Sequence, residues 1–170
     1  MSDDAAMNEE FLETDEDIEF QNNKFLLFRL GEEVYGVNIM SVTDIIEIQK
    51  ITEVPEMPNY IRGVINLRGQ VIPVMDLRLR FRMDFREYDD RTCIIIVSIN
   101  DNPLGFIVDT VSEVQDIAQK NIDPAPTFKS DSSKDKYILG LGKIEDEVRI
   151  LLDVEKIARQ EELEKMHESL

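Results

Sequence analysis

Very little in this chain is equipped for covalent chemistry. Among 170 residues there is one cysteine, one histidine and no tryptophan. A single cysteine excludes an internal disulfide framework and suits a reducing compartment. Cys93 opens the apolar run Cys93-Ile94-Ile95-Ile96-Val97 and reads as a small core hydrophobe. A reactive thiolate needs an electropositive setting, and only Arg91 is near in sequence. His167 sits in a polar, helix-like stretch near the end of the chain, where a solvated side chain is the ordinary reading. No Cys/His spacing supports zinc, and the turn around Asp101 lacks the ligand spacing of a calcium loop. The seven glycines are scattered, so no glycine-rich phosphate loop exists. No apolar run reaches the roughly 18 residues of a membrane span. The acidic start lacks the positive charge and apolar middle of a signal peptide. A cytoplasmic protein without catalytic residues, metal or cofactor is expected.

Positive charge is also scarce. The formal net charge is −17, from 36 acids against 19 bases. Residues 1–23 hold nine of those acids and no Lys or Arg, leaving 27 acids against 19 bases for the rest. An acidic surface repels nucleic acid and anionic membrane, so neither is an expected partner. The first 23 residues carry too few large apolar side chains to offset the cost of ordering them, and they read as a disordered acidic tail.

What the chain does have is an internal repeat, which must be read before anything else. At an offset of 69, Phe25-Leu26-Leu27-Phe28 falls on Ile94-Ile95-Ile96-Val97, Gly36 on Gly105, Val42 on Val111 and Asp44 on Glu113. Beyond the Ser-rich stretch Ser130–Ser133 the offset becomes 77. Tyr60 then falls on Tyr137, Gly63 on Gly140 and Asp76 on Asp153. The first copy spans about 24–82 and the second about 92–158. A frayed helical segment is expected at 159–170.

Each copy predicts two hairpins. In the first, Phe25–Leu30 and Val34–Val37 flank a Gly31 turn; Val64–Leu67 and Val71–Met75 flank Arg68-Gly69-Gln70. Between them Ile39, Val42, Ile45 and Ile46 recur at three- and four-residue spacing, which predicts a helix presenting Ser41, Asp44 and Glu47 outward. In the second copy Val111 and Val114 begin a shorter helical or irregular element. Asp76 and Asp153 each stand where they can cap a short helix, the second with Val154, Ile157 and Ala158 on one side. Several short strands per copy predict a mainly β fold of two linked five-stranded barrels with a shared core between them. The apolar runs are continuous rather than alternating, as in strands covered on both faces.

The copies diverge at one hairpin tip. The first carries Asn66-Leu67-Arg68-Gly69 where the second carries Lys143-Ile144-Glu145-Asp146. On composition alone Arg68 is a solvated turn residue. Arginine also suits interfaces, because its rigid fork makes paired hydrogen bonds and its plane stacks. The divergence marks the tip as a candidate site.

Phe25–Leu30, Tyr35-Gly36-Val37, Ile61–Gly69, Val71–Leu77 and Gly105–Asp109 together resemble the CheW family of bacterial chemotaxis coupling proteins, over about Phe25 to Ile157. The stretch Ile138–Gly142 with Val148–Leu152 resembles the family's final hairpin. The resemblance implies two five-stranded SH3-like barrels. It also implies a non-enzymatic adaptor joining the cytoplasmic tip of methyl-accepting chemoreceptors to the regulatory domain of the histidine kinase CheA, recruited to membrane-associated receptor arrays. By the same resemblance the receptor-facing positions are Arg68, Val42 and Asp44, the last shorter than the glutamate the family often has. The kinase-facing positions are Ile51, Thr52 and Gly63. The alternatives are a CheW-like scaffold of a non-flagellar chemosensory pathway, or a small-ligand-binding β-barrel. The last requires a polar concave pocket with perturbed titrating groups.

Overall fold

The computed structural model describes residues 23–124 and 137–158. Residues 1–22, the Ser130–Ser133 insertion, His167 and segment 159–170 lie outside the described residues, and so do the expectations attached to them.

Eleven strands are described. They are β1 (Lys24–Leu30), β2 (Glu33–Asn38), β3 (Val42–Glu47), β4 (Ile61–Leu67), β5 (Gln70–Asp76), β6 (Cys93–Ile99), β7 (Asn102–Val108), β8 (Thr110–Asp116), β9 (Ile122–Pro124), β10 (Ile138–Ile144) and β11 (Glu147–Leu152). Two short helices, α1 (Leu77–Arg80) and α2 (Val154–Ala158), follow the last strand of each copy. Asp76 Oδ1 accepts from Leu79 N at 3.3 Å and Asp153 Oδ1 from Lys156 N at 3.2 Å, so both caps form as expected. Val154, Ile157 and Ala158 are all buried.

The strands form a six-stranded sheet in the order β8-β1-β2-β11-β10-β9 and a five-stranded sheet in the order β3-β6-β7-β5-β4. Neither sheet belongs to one repeat copy. Each joins the first hairpin of one copy to the second hairpin of the other, through the parallel pairs β2/β11 and β5/β7. Register follows the repeat closely. Phe28 pairs Tyr35 as Val97 pairs Leu104; Gly36 pairs Leu151 as Gly105 pairs Val74. The bulge between Ile61 and Gly63 recurs between Ile138 and Gly140. The two sheets are thus related by an internal two-fold built from exchanged hairpins.

Three apolar clusters explain the continuous runs. Successive strand residues point to opposite faces. Along β6, Ile94 and Ile96 fill a cluster inside the five-stranded sheet, with Ile65, Ile72, Val74 and Ile107. Ile95 and Val97 enter a large core shared by both sheets. Along β1, Phe25 and Leu27 join a third cluster with Ile117 and Leu151, while Leu26, Phe28 and Leu30 enter the shared core. Each sheet therefore curls over its own interior and packs its other face against its mate. Full burial of each such side chain stabilises by roughly 1.5–3 kcal/mol.

The predicted helix over Ile39–Glu47 is corrected. Ile39–Ser41 is a single 3-10 turn capped by Asn38, and Val42–Glu47 is strand β3, paired antiparallel with β6. Its burial alternates: Val42, Asp44 and Ile46 are half-buried, whereas Thr43, Ile45 and Glu47 face outward. The apolar spacing fits a helix only if Ile45 belongs to the core, and Ile45 is exposed. The β-branched content of Val42, Thr43, Ile45 and Ile46 favours a strand. The expected helical or irregular element at Val111 and Val114 is likewise strand β8, paired with β1.

Candidate functional site

Arg68 and Gly69 form the two-residue turn between β4 and β5, since Leu67 pairs Gln70. Both have positive φ, 53° and 86°, the conformation of a type I′ hairpin. Asn66 Oδ1 accepts from Gly69 N at 3.0 Å and locks the turn. The tip holds Arg68 well out of the fold, with 77 % of its side chain exposed. Its Nη1 donates to Asp44 Oδ2 at 2.9 Å, and Asp44 Oδ1 accepts from the amide of Ile45 at 2.9 Å. Asp44 lies on β3 and Arg68 follows β4, the two opposite edges of the five-stranded sheet, so their ion pair closes the curl of that sheet. Val42 stands two residues before Asp44, across a bulge, and packs against the shared core. The three positions named for receptor contact thus converge at one end of the barrel.

Ile51, Thr52 and Gly63 converge at the other end of β4. Thr52 N donates to Val64 O at 2.8 Å and Val64 N to Thr52 O at 2.9 Å. Gly63 has φ +139°, and a Cβ there would lie 2.0 Å from the Thr52 carbonyl oxygen. Gly63 is buried, Thr52 is exposed and Ile51 is half-buried against the five-stranded sheet's interior. Glycine is required at 63 so that the 51–52 segment can lie flat on β4. A bulky substitution there disturbs this backbone contact, so it does not isolate a partner contact.

A family model described as CheW-like domain matches residues 24–162. The chain belongs to the CheW-like family. It is 36% identical over 140 residues to the chemotaxis protein CheW of Klebsiella aerogenes, covering 82% of this chain and 84% of that one. It is 37% identical over 138 residues to CheW of Helicobacter pylori, covering 81% and 82%. The fold is similar to the crystal structure of the scaffolding protein TtCheW from Thermoanaerobacter tengcongensis, with a TM-score of 0.75 and 35% identity over 82% of this chain and 94% of that one.

Within this CheW-like frame the structure adds groups that sequence reasoning missed. Asp109 follows β7 and is nearly buried. It accepts from Arg78 Nε and Nη2, each at 2.6 Å, and from Gly31 N at 2.8 Å, with Arg86 Nη1 at 3.4 Å. Burial pushes its carboxyl up, but the Arg78 bonds, the Gly31 amide and the charges of Arg78 and Arg86 outweigh this and hold it below the usual carboxylate range. Arg80 is buried between the rings of Tyr60 and Tyr137, at 4.7 and 4.5 Å, and donates to the Ile157 carbonyl at 3.2 Å. Those tyrosines are repeat equivalents, so Arg80 sits where the copies meet. On the outside, Arg62 lies 5.0 Å over the ring of Phe85, which meets Tyr88 edge-on at 5.4 Å. One signal for these groups was available: seven of the ten arginines fall within residues 62–91.

A cleft of about 380 Å³ opens beside β2 and β11, lined by Glu33, Tyr35, Phe81, Ile138, Ile150 and Leu152. Burial, reinforced by Glu33, raises the Tyr35 hydroxyl above its usual range. Cys93 is half-buried at the core margin, its Sγ 3.3 Å from the Arg91 carbonyl. No described helix is long and apolar enough to cross a membrane.

Proposed function

We propose that this CheW-like chain is a non-enzymatic chemotaxis adaptor that bridges chemoreceptors to the regulatory domain of CheA in the cytoplasm. The observation that carries this reading is the pair of surfaces at the two ends of β4. Arg68 with Asp44 and Val42 stands at the tip; Ile51 and Thr52, seated on Gly63, stand at the start. Gly63 and Arg68 are five positions apart, roughly 16 Å along a strand. A helical receptor tip lays apolar side chains beside Val42 and meets Arg68, whose remaining guanidinium donors point to solvent. The kinase domain packs barrel to barrel against Ile51 and Thr52. Each contact is modest alone, and holding both partners raises the effective concentration of each for the next in an array.

The test is a titration with both partners. A saturating receptor cytoplasmic fragment should leave the kinase regulatory domain bound. Strict competition would make the chain a switch and overturn the bridge. Incubated with ATP, the purified chain should neither hydrolyse it nor become phosphorylated; turnover abolished by a point substitution would end the adaptor reading.

A further inference from the structure

The seven-arginine segment contains one exposed aromatic whose presentation is built rather than incidental. Phe85 lies in the connection between α1 and β6 and is 47 % exposed. Single exposed apolar residues are ordinary on protein surfaces. Phe85 differs because its ring is held from two directions. The Arg62 guanidinium covers it at 5.0 Å and Tyr88 meets it edge-on at 5.4 Å. Tyr88 is fixed in turn: its hydroxyl donates to the buried Asp76 carboxylate at 2.7 Å, and it packs on the interior of the five-stranded sheet. Arg86, the next residue, is tied to Asp89 at 3.2 Å and Asp109 at 3.4 Å. A rigid ring presented with an arginine loses little conformational freedom on binding, which is the character of a hot spot.

The position of this cluster names its partner. Arg62 immediately precedes Gly63 on β4, and Tyr88 packs on the same cluster as Ile51. Because the Arg62 guanidinium covers the ring, Phe85 lies beside the Gly63 end of β4 and not at the Arg68 tip. Arg62 joins no ion pair among the described residues; its neighbours here are the Phe85 ring and the Tyr88 side chain, in a chain of net charge −17. A partner meeting this patch must supply an apolar recess for the ring and carboxylates for the guanidinium.

We propose that Phe85, braced by Arg62 and Tyr88, is a specificity anchor of the kinase-facing surface and inserts into an apolar, carboxylate-rimmed recess on the kinase regulatory domain. The proposal rests on the bridging role given above. Its test uses the full chain and isothermal titration against the kinase regulatory domain, with a receptor cytoplasmic fragment in parallel. Phe85→Ala should keep the wild-type melting temperature, weaken kinase binding at least tenfold and leave receptor binding within twofold. Arg62→Gln should weaken kinase binding by a smaller factor and flatten its dependence on salt, because an ion pair to the rim is lost. Kinase binding by Phe85→Ala within twofold of wild type overturns the anchor while the bridge stands. Equal loss toward both partners also overturns it, as the ring would then act on the fold. Failure of the wild-type chain to bind the kinase domain at all removes the bridging role and the anchor with it.

Discussion

The hairpin tips at Arg68 and Glu145 occupy equivalent positions of one duplicated fold, and both residues adopt positive φ, 53° and 55°. In the first, Arg68 reaches across the curled sheet to Asp44. In the second, the equivalents are Glu145 and Glu113, two acids that cannot pair. Exposed apolar residues match more closely: Ile45 and Val71 are 42 % and 47 % exposed, Val114 and Val148 48 % and 51 %. The interior shows a second contrast. Asp109 ties α1 to the β1–β2 turn, whereas its repeat equivalent is the exposed Met40, and the equivalent of Arg78 is Glu155. Duplication has preserved the apolar positions that set register. Charge was free to diverge wherever the backbone did not depend on it.

The sharpest way to break the internal comparison is Asp109→Ala. It leaves the partly buried Arg78 with only its Asp84 carbonyl bond and the Gly31 amide without its acceptor, which costs up to about 3–5 kcal/mol. A fall in melting temperature of roughly 6–20 °C is expected for a chain of this size. Met40→Ala, at the equivalent position, should change stability by less than about 0.5 kcal/mol. The pH dependence has a definite sign. Asp109 titrates below its ordinary value, so its contribution is complete above about pH 4 and is lost as pH falls through the lowered folded-state value. Melting curves from pH 5 to pH 2 should therefore be flatter for Asp109→Asn than for wild type.

A second contrast sets Gly63 against Gly140. At Gly63 an added Cβ meets backbone at 2.0 Å and φ is +139°; at Gly140 it meets the Ile122 methyl at 2.7 Å and the Asp123 carbonyl oxygen at 2.8 Å, without a positive φ. Gly63→Ala should cost about 3 kcal/mol or more, combining overpacking with backbone strain. Gly140→Ala should cost less, because its backbone approach is 2.8 Å against 2.0 Å and its φ is not positive. Denaturant titrations of the two variants settle the order, and equal losses would show that the bulges differ less than their geometry indicates.

At the tips, Arg68→Ala should leave stability within about 0.5 kcal/mol of wild type, since the Arg68 side chain is largely solvated and Asp44 keeps its bond from the Ile45 amide. Receptor binding should weaken by about 2 kcal/mol or more, while kinase binding persists. Arg68→Glu should be worse, because it places like charge beside Asp44. Glu145→Ala should do little, and equal loss from both tips would remove the case that divergence locates the receptor contact. The smallest effect belongs to residues 1–23. Nine like charges with few large apolar side chains cannot offset an ordering cost of roughly 1–2 kcal/mol per residue. Deleting residues 1–22, and keeping Asn23 because its carbonyl accepts from Ile117 N at 2.7 Å, should leave the melting temperature almost unchanged. A drop of many degrees would mean that Phe11, Leu12 or Phe20 contributes to the fold.

Sequence alone determined the duplication, the hairpins, both helix caps and the class of fold. Those depend on local chemistry: glycine and asparagine at turns, aspartate at helix starts, and apolar runs that alternate between two buried faces. It also marked Arg68, because a repeat exposes a charge reversal at one aligned position. Three things were decided only by tertiary structure. Val42–Glu47 is a strand because β6 offers it a partner; its apolar spacing alone fitted a helix. Each sheet exchanges hairpins between copies because β2 pairs with β11 and β5 with β7, contacts between residues more than thirty positions apart. The grouping of Arg68 with Asp44, of Gly63 with Thr52, of Arg78 with Asp109 and of Phe85 with Arg62 follows from that pairing. Periodicity reports which face a residue occupies, whereas only the folded sheet reports which face it meets.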